Sequence, residues 1–440
     1  MATTHPFARR LNATCIAGLL SITSSGAFAS GFALIEQSVS SMGTAYAGSG
    51  SAAEDASFIY FNPASMSELD GTQVSGGLHI VLPETEFSGS AALNPIYGAG
   101  STTDPASPDS DDAGEIGALP HFAYVRELSD TMNFGITVNV PFGLKTEYRD
   151  NWVGRFSSTA GEVKTINLNP ALSFEVDEHV TLGFGLSVMY ANLIFENVAH
   201  SNFPAFPSAD IPVKIDIDDW SFGWNFGALL KPTDSTRLGI AYRSKVEVEL
   251  EGDRQASPLP GTTTDADVSL PDTLLLSAYH EVDDQWAVMA DITWTQWSRI
   301  DALVFRFGDA TTNTIPVKFE DSFRYAIGAT YKKDDRWKFR GGLAFDETPV
   351  PSPEFRLTAL PDEDRTWLTI GAGYQHSKNL SFDIGYAHLF IDDTSINSTD
   401  GYSSHLSGNP NPLKEGLHRI TGEYEASVDI ISAQVNRKFD

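Results

Sequence analysis

The chain has 440 residues with 29 basic and 58 acidic side chains, a formal net charge of −29. That acidity excludes nucleic acid as a partner, because phosphate binding needs a basic surface. The single cysteine, Cys15, leaves no pair for a disulfide and no thiolate metal site.

Residues 1–29 read as a secretory signal peptide. Arg9 and Arg10 precede an apolar run from Leu11 to Ile22, and small residues end at Ala27-Phe28-Ala29. The run is shorter than the ~20 residues a membrane helix needs, so it is an export address, and the mature chain is expected to begin at Ser30. No later stretch has ~18 uncharged apolar residues, which excludes helical membrane spans.

Residues 30–70 are rich in Gly, Ala and Ser and contain no alternating run of strand length. They predict a compact insert, a small helical plug or hatch. From residue 71 to 440 the pattern changes to apolar/polar alternation. In Arg237 to Glu251, Leu238, Ile240, Tyr242, Val246, Val248 and Leu250 fall on one face and charged residues on the other. A run of about fifteen residues exceeds the ~5–6 of a globular strand and suits a tilted strand of an outer-membrane barrel. Short polar breaks at Ser129-Asp130, Asp177-Glu178, Thr233-Asp234, Asp283-Asp284, Asp334-Asp335 and Lys378-Asn379 recur roughly every fifty residues, with longer connections between them. The count predicts an all-β transmembrane barrel of about 14 antiparallel strands with long extracellular loops.

These residues resemble the FadL family of outer-membrane transporters for long-chain fatty acids and hydrophobic compounds, including its TodX-type members. The resemblance rests on Gly31-Phe32, Ala45-Tyr46-Ala47-Gly48, Asn62-Pro63-Ala64, Asn167 to Leu172, Phe345 to Pro351, and Pro361 to Arg365, in order along the chain. It implies a hatch inside the lumen and capture of cargo among the extracellular loops. A tighter pocket by Gly31, Phe32 and Pro63, with lateral release through a kink in the third strand, is implied as well. The expected setting is the outer membrane of a Gram-negative bacterium, as a monomer among outer-membrane lipid and lipopolysaccharide. The expected cargo is a long-chain fatty acid or another hydrophobic molecule. Uptake of neutral hydrocarbons or monoaromatics by the same route is the alternative, and a general porin for polar solutes the reading from another class.

The residues support specific expectations. Pro141 cannot donate to a ladder and Gly143 weakens a strand, so Pro141-Phe142-Gly143 predicts a break in pairing and the position of the gate. Asn62-Pro63-Ala64 belongs to the hatch, where Pro63 ends a turn before the first strand. Trp152 and Phe156 in one loop, and Phe203 and Phe206 in another, predict an apolar capture groove. Strand alternation points Arg243, Lys245, Lys318 and Arg324 into the lumen, with Lys318 and Arg324 the candidate partners of a cargo carboxylate. The acidic run Asp104 to Glu115 reads as a solvated loop. The ten histidines are scattered and no G-x-S-x-G, H-E-x-x-H or cysteine nucleophile follows them, so neither enzyme, cofactor nor metal is expected.

Overall fold

The computed structural model describes residues 31–93, 109–201, 209–257, 259–399 and 418–439. The expected signal, residues 1–29, lies outside them. Strands β1 (Thr72–Leu93), β2 (Gly117–Ser129), β3 (Met132–Asn139), β4 (Ala160–Asp177), β5 (Val180–Ser201), β6 (Ala209–Thr233) and β7 (Thr236–Arg243) form the first half of a barrel. The second half consists of β8 (Thr273–Glu281), β9 (Trp286–Thr295), β10 (Ser322–Lys332), β11 (Trp337–Asp346), β12 (Arg365–Ser377), β13 (Leu380–Ile391) and β14 (His418–Phe439). Each pairs antiparallel with the next, and β14 closes on β1 in an unbroken register from Thr72 opposite Phe439 to Leu93 opposite His418. The result is a closed barrel of 14 strands.

Alternation places the sides. In β10, Phe323, Tyr325 and Ile327 are exposed while Arg324 and Ala326 are buried; in β12, Leu368 and Ile370 point out and Trp367 and Thr369 in. The exposed apolar residues recur around the barrel as the band that meets lipid. The short turns form because an aspartate caps them. Asp283 accepts from the backbone N–H of Gln285 and Trp286, and Asp334 from those of Arg336 and Trp337, at 2.8 to 2.9 Å. Beside these turns Trp286 packs on Tyr331 and Trp337 on Tyr374, with ring centroids 4.8 Å apart, as interfacial aromatics do.

The single apolar face read over Arg237 to Glu251 is corrected by the structure. Through β7, Leu238 and Ile240 face out; beyond Ser244-Lys245 the wall continues as Val246–Ala256, where Val248 and Leu250 are buried and Glu247 and Glu249 exposed. The ladder to β6 shifts at this point: Arg243 pairs with Asn225, whereas Glu251 pairs with Asp218. A one-residue slip exchanges the faces of a strand. Once the wall leaves the lipid, its apolar side turns inward and its carboxylates meet water.

Residues 31 to 71 occupy the lumen. A helical turn α1 (Val39–Met42) is capped by Ser38, and two 3-10 turns, Ala56–Tyr60 and Pro63–Glu68, are capped by Asp55 and Asn62 through bonds to the N–H of Ser57 and Ala64. The plug is fastened around the wall. Gly48 N–H donates to Asp291 of β9 at 2.7 Å, and Arg340 of β11 reaches Glu54 at 2.6 Å. Asn62 Nδ2 donates to Ala228 O of β6 at 3.1 Å.

Close approach comes from glycines of the wall as much as from small residues of the plug. A Cβ on Gly227 would lie 2.0 Å from Asn62 Oδ1, one on Gly239 2.1 Å from Gly50 O, and one on Gly342 2.1 Å from the Thr44 carbonyl carbon.

Candidate functional site

The site is built where the first residues of the plug meet the broken third strand. Gly31 has φ +62°, and a Cβ there would stand 2.8 Å from the Trp297 ring, so only glycine satisfies both backbone and space. Phe32 then inserts between Trp297, at a centroid distance of 4.8 Å, and Phe142, at 5.9 Å. Phe319 stands 6.0 Å behind Trp297. Leu144, Met189, Ile215, Val248 and Phe305 extend this cage into one buried apolar cluster under the extracellular hairpins. Burying such surface is favourable by roughly 25 cal/mol per Å², and an apolar molecule displacing Phe32 would gain on the same scale.

The third strand breaks where Pro141 and Gly143 predict. β3 pairs with β4 as far as Asn139 opposite Asn167, and pairing resumes with Gly143 opposite Lys164. Val140, Pro141 and Phe142 leave the ladder; Thr165 Oγ1 of β4 bonds both backbone groups of Phe142, and the plug takes up others. Leu34 N–H donates to Pro141 O and Gly143 N–H to Phe32 O, both at 2.9 Å, while Gln37 Nε2 donates to Val140 O at 2.7 Å. An unpaired backbone group in a membrane wall costs several kcal/mol. The break therefore depends on residues 32 to 37 staying in place.

Electrostatics anchors the same segment. Gly31 N–H donates to Asp362 Oδ2 at 2.9 Å, Thr348 Oγ1 donates to the same oxygen at 2.7 Å, and Arg365 holds the other oxygen. Burial pushes the Asp362 carboxyl up to about 6 despite the neighbouring Arg365. On the wall, Arg324 of β10, Asp346 of β11 and Arg365 of β12 stand directly opposite one another across adjacent strands.

The expected site residues separate into groups. Gly31, Phe32, Phe142 and the Pro141 break come together as described. Asn62-Pro63-Ala64 lies against β5 and β6, where Asn62 also donates to Gly50 O at 2.7 Å. Arg324 lies in the lumen, donating to Ala45 O at 3.0 Å, and Arg243 reaches Tyr60 O at 2.7 Å.

Two lumen assignments are corrected. Lys245 sits at the slip just after β7, exposed and paired with Glu247. Lys318 is exposed, with φ +46° and its ammonium 4.7 Å from the Phe355 ring; it lies in the connection before β10, where alternation does not apply. Trp152 is corrected too. It is fully buried, stacked 3.9 Å from Tyr148 beside Phe87 and Tyr424 in a separate small core, so it presents no surface to a capture groove. Phe156 is half-buried under the Arg155 guanidinium at 4.5 Å, and Phe203 and Phe206 lie outside the described residues. The described part of the acidic run is engaged rather than simply solvated: Asp111 pairs with Arg149, and Asp112 accepts from Thr85 N–H.

Trp297, Phe319 and Asp362 were missed as site residues. Asp362 stands inside Pro361 to Arg365, a quoted motif; Trp297 sits on an isolated 3-10 turn, Trp297–Arg299, with no periodicity to announce it.

The family described as outer membrane protein transport protein (OMPP1/FadL/TodX) matches residues 20–439. The long-chain fatty acid transport protein of Salmonella typhi is 29% identical over 417 residues, covering 87% of this chain and 93% of that protein. Outer membrane protein P1 of Haemophilus influenzae is 30% identical over 425 residues, covering 87% and 90%. Among solved structures, a Pseudomonas aeruginosa FadL homologue superposes with a TM-score of 0.83 at 25% identity, covering 93% of this chain and 100% of that one. The Ralstonia pickettii toluene transporter TbuX shares the fold at a TM-score of 0.62 and 18% identity, covering 88% and 94%.

Proposed function

The chain belongs to the OMPP1/FadL/TodX family of outer-membrane transport proteins, and from that premise we propose that it carries long-chain fatty acids or related hydrophobic molecules inward by passive diffusion. Cargo is captured among the extracellular hairpins and passes to the cage around Phe32. It leaves sideways through the Pro141 break into the outer membrane. The protein acts as a monomer surrounded by lipopolysaccharide, without a chemical step. One observation carries this reading: residues 32 to 34 fill an apolar cage and pair the broken strand at once. Withdrawal of Phe32 by an entering molecule would release both.

The relatives named for long-chain fatty acids favour that cargo, and the aromatic and aliphatic side chains of the cage equally accommodate a neutral hydrocarbon. A plugged lumen argues against a general porin. The test is uptake of radiolabelled oleate by cells carrying Pro141→Val/Gly143→Val, which restores regular pairing. The side chain at position 143 also meets Leu34 Cδ1, which stands 2.6 Å from a Cβ there. Uptake is expected to fall at least about tenfold, as one lost route with a barrier raised by ~1.4 kcal/mol would give, while the barrel still assembles. Undiminished uptake would place the exit elsewhere.

A further inference from the structure

Behind the cage lies a polar chamber that the apolar route leaves unused. Its wall is the transverse row Arg324, Asp346 and Arg365, and Glu36 of the plug faces it with 1% of its surface exposed. Neither Glu36 carboxyl oxygen reaches a hydrogen-bond partner in another residue. The same holds for Nε of Arg324, Nε and Nη1 of Arg365, Nε1 of Trp367 and the Tyr46 hydroxyl, all buried. These groups adjoin one another: the Arg324 guanidinium lies 5.2 Å from the Trp367 ring and 5.7 Å from the Tyr46 ring. Tyr46 itself is held at φ +60°, a conformation costly for an aromatic residue and retained only where the surroundings enforce it.

The chamber thus contains four N–H donors without a protein acceptor, facing one carboxylate that stands off from them. A carboxylate is acceptor-only and bidentate, the complement of guanidinium forks. Access is short, because Asp362 binds Arg365 with one oxygen and Gly31 N–H with the other, linking chamber to cage through the residue next to Phe32.

We propose that Arg324 and Arg365 form a receiving site for the carboxylate of an anionic cargo, which Glu36 occupies as an internal stand-in while the plug is seated. A fatty acid whose tail replaces Phe32 brings its carboxylate to this pair and displaces Glu36, so that head-group binding loosens the plug. The charge exchange is one for one. Asp346 and Asp362 remain to balance the two guanidiniums, and a single further negative charge is carried either by Glu36 or by the cargo. The inference rests on the transport reading above and adds to it the side chains that take the head group and the plug carboxylate that competes for them.

The test compares binding of oleate and of oleyl alcohol to the purified full-length protein in detergent at pH 8, in the wild type, Glu36→Gln and Arg324→Gln. Removing the competing charge in Glu36→Gln is expected to tighten oleate at least about tenfold, and losing a guanidinium in Arg324→Gln to weaken it by about as much, the size of one charge-assisted hydrogen bond. Oleyl alcohol should stay within about twofold in both, which separates a head-group effect from a general change in the plug. Equal responses of the two ligands, or an oleate affinity insensitive to both substitutions, would overturn the proposal while leaving transport intact. Binding of neither ligand by the wild type would overturn the transport reading itself, and this inference with it.

Discussion

Glu36 is a carboxyl group that burial pushes toward its protonated form and that the facing guanidiniums pull back toward its charged form, so that it carries its charge above about pH 7. Burial, partly offset by Arg365 and Arg324, pushes its pKa up to about 7 from the ordinary 4.5. Asp346 of the wall opposes ionisation as well, and the Tyr46 and Tyr60 hydroxyls feel its charge. A raised carboxyl pKa means that the seated plug binds the proton more tightly than the released one. Its stabilisation is therefore full below about pH 4.5 and is lost as pH rises through 7, a change of about 3 kcal/mol. Amide exchange of residues 31 to 71 should accordingly accelerate between pH 5 and pH 8 after correction for intrinsic exchange, and level off above. In Glu36→Gln the rise should be smaller and confined to the range near pH 6, where Asp362, also raised by burial, loses its proton. A wild-type profile no steeper than the variant's would show that Glu36 does not report on seating.

At the scale of elements, the 3-10 turn Pro63–Glu68 is seated by Asn62, whose side chain accepts from Ala64 N–H and donates to Gly50 O and Ala228 O. Gly227 of β6 makes room for it. In Gly227→Val the strand keeps its ladder, but the new side chain takes the space of Asn62 Oδ1 and disrupts those three bonds. At ~1 kcal/mol each that is about 3 kcal/mol, near a hundredfold in the population of an unseated plug. Planar-bilayer recordings should change from closed to flickering openings; a silent variant would mean that the plug yields without unseating. Elements like this differ in how far the chain declares them. The wall was legible because alternation, aspartate-capped turns and the Pro141 break are local properties that lipid on one side and a filled lumen on the other enforce. The slip at Ser244-Lys245 was not, since a lone Ser-Lys pair is a weak turn signal and the apolar positions keep the same alternation on both sides of it. Trp297 and Lys318 lie in a long connection where periodicity gives no direction. The role of Gly227 and Gly239 was hidden because a glycine in a strand shows only that something comes close, and the partner lies more than 150 residues away in the chain.

For the whole molecule, the wall and the plug are held by different forces. The barrel closes through a backbone ladder and an apolar exterior, in which residues 31 to 71 take part chiefly at the Pro141 break, where Ala33 bridges Phe142. The plug is held by apolar packing against the inner wall and by polar contacts: Asp291 receives Gly48 and Ser49, and Glu54 binds Arg340 and Lys338, which keep its carboxyl well below the usual range against the opposing effect of burial. A buried ion pair is costly to break by removing one partner, at ~3–5 kcal/mol, because the other charge is left without water. Removing the whole plug is different, since the lumen then fills with water and its charges are solvated; Arg340 also keeps Asp383 at 2.9 Å. Deleting residues 31–71 while keeping residues 1–30, which include the expected export signal, should therefore leave a barrel that still assembles and shows heat-modifiable mobility in detergent. It should conduct steadily, like a wide aqueous pore, and lose its preference for hydrophobic cargo. A deletion that fails to assemble, although exported, would show that the plug is part of the folding core and not a separable gate.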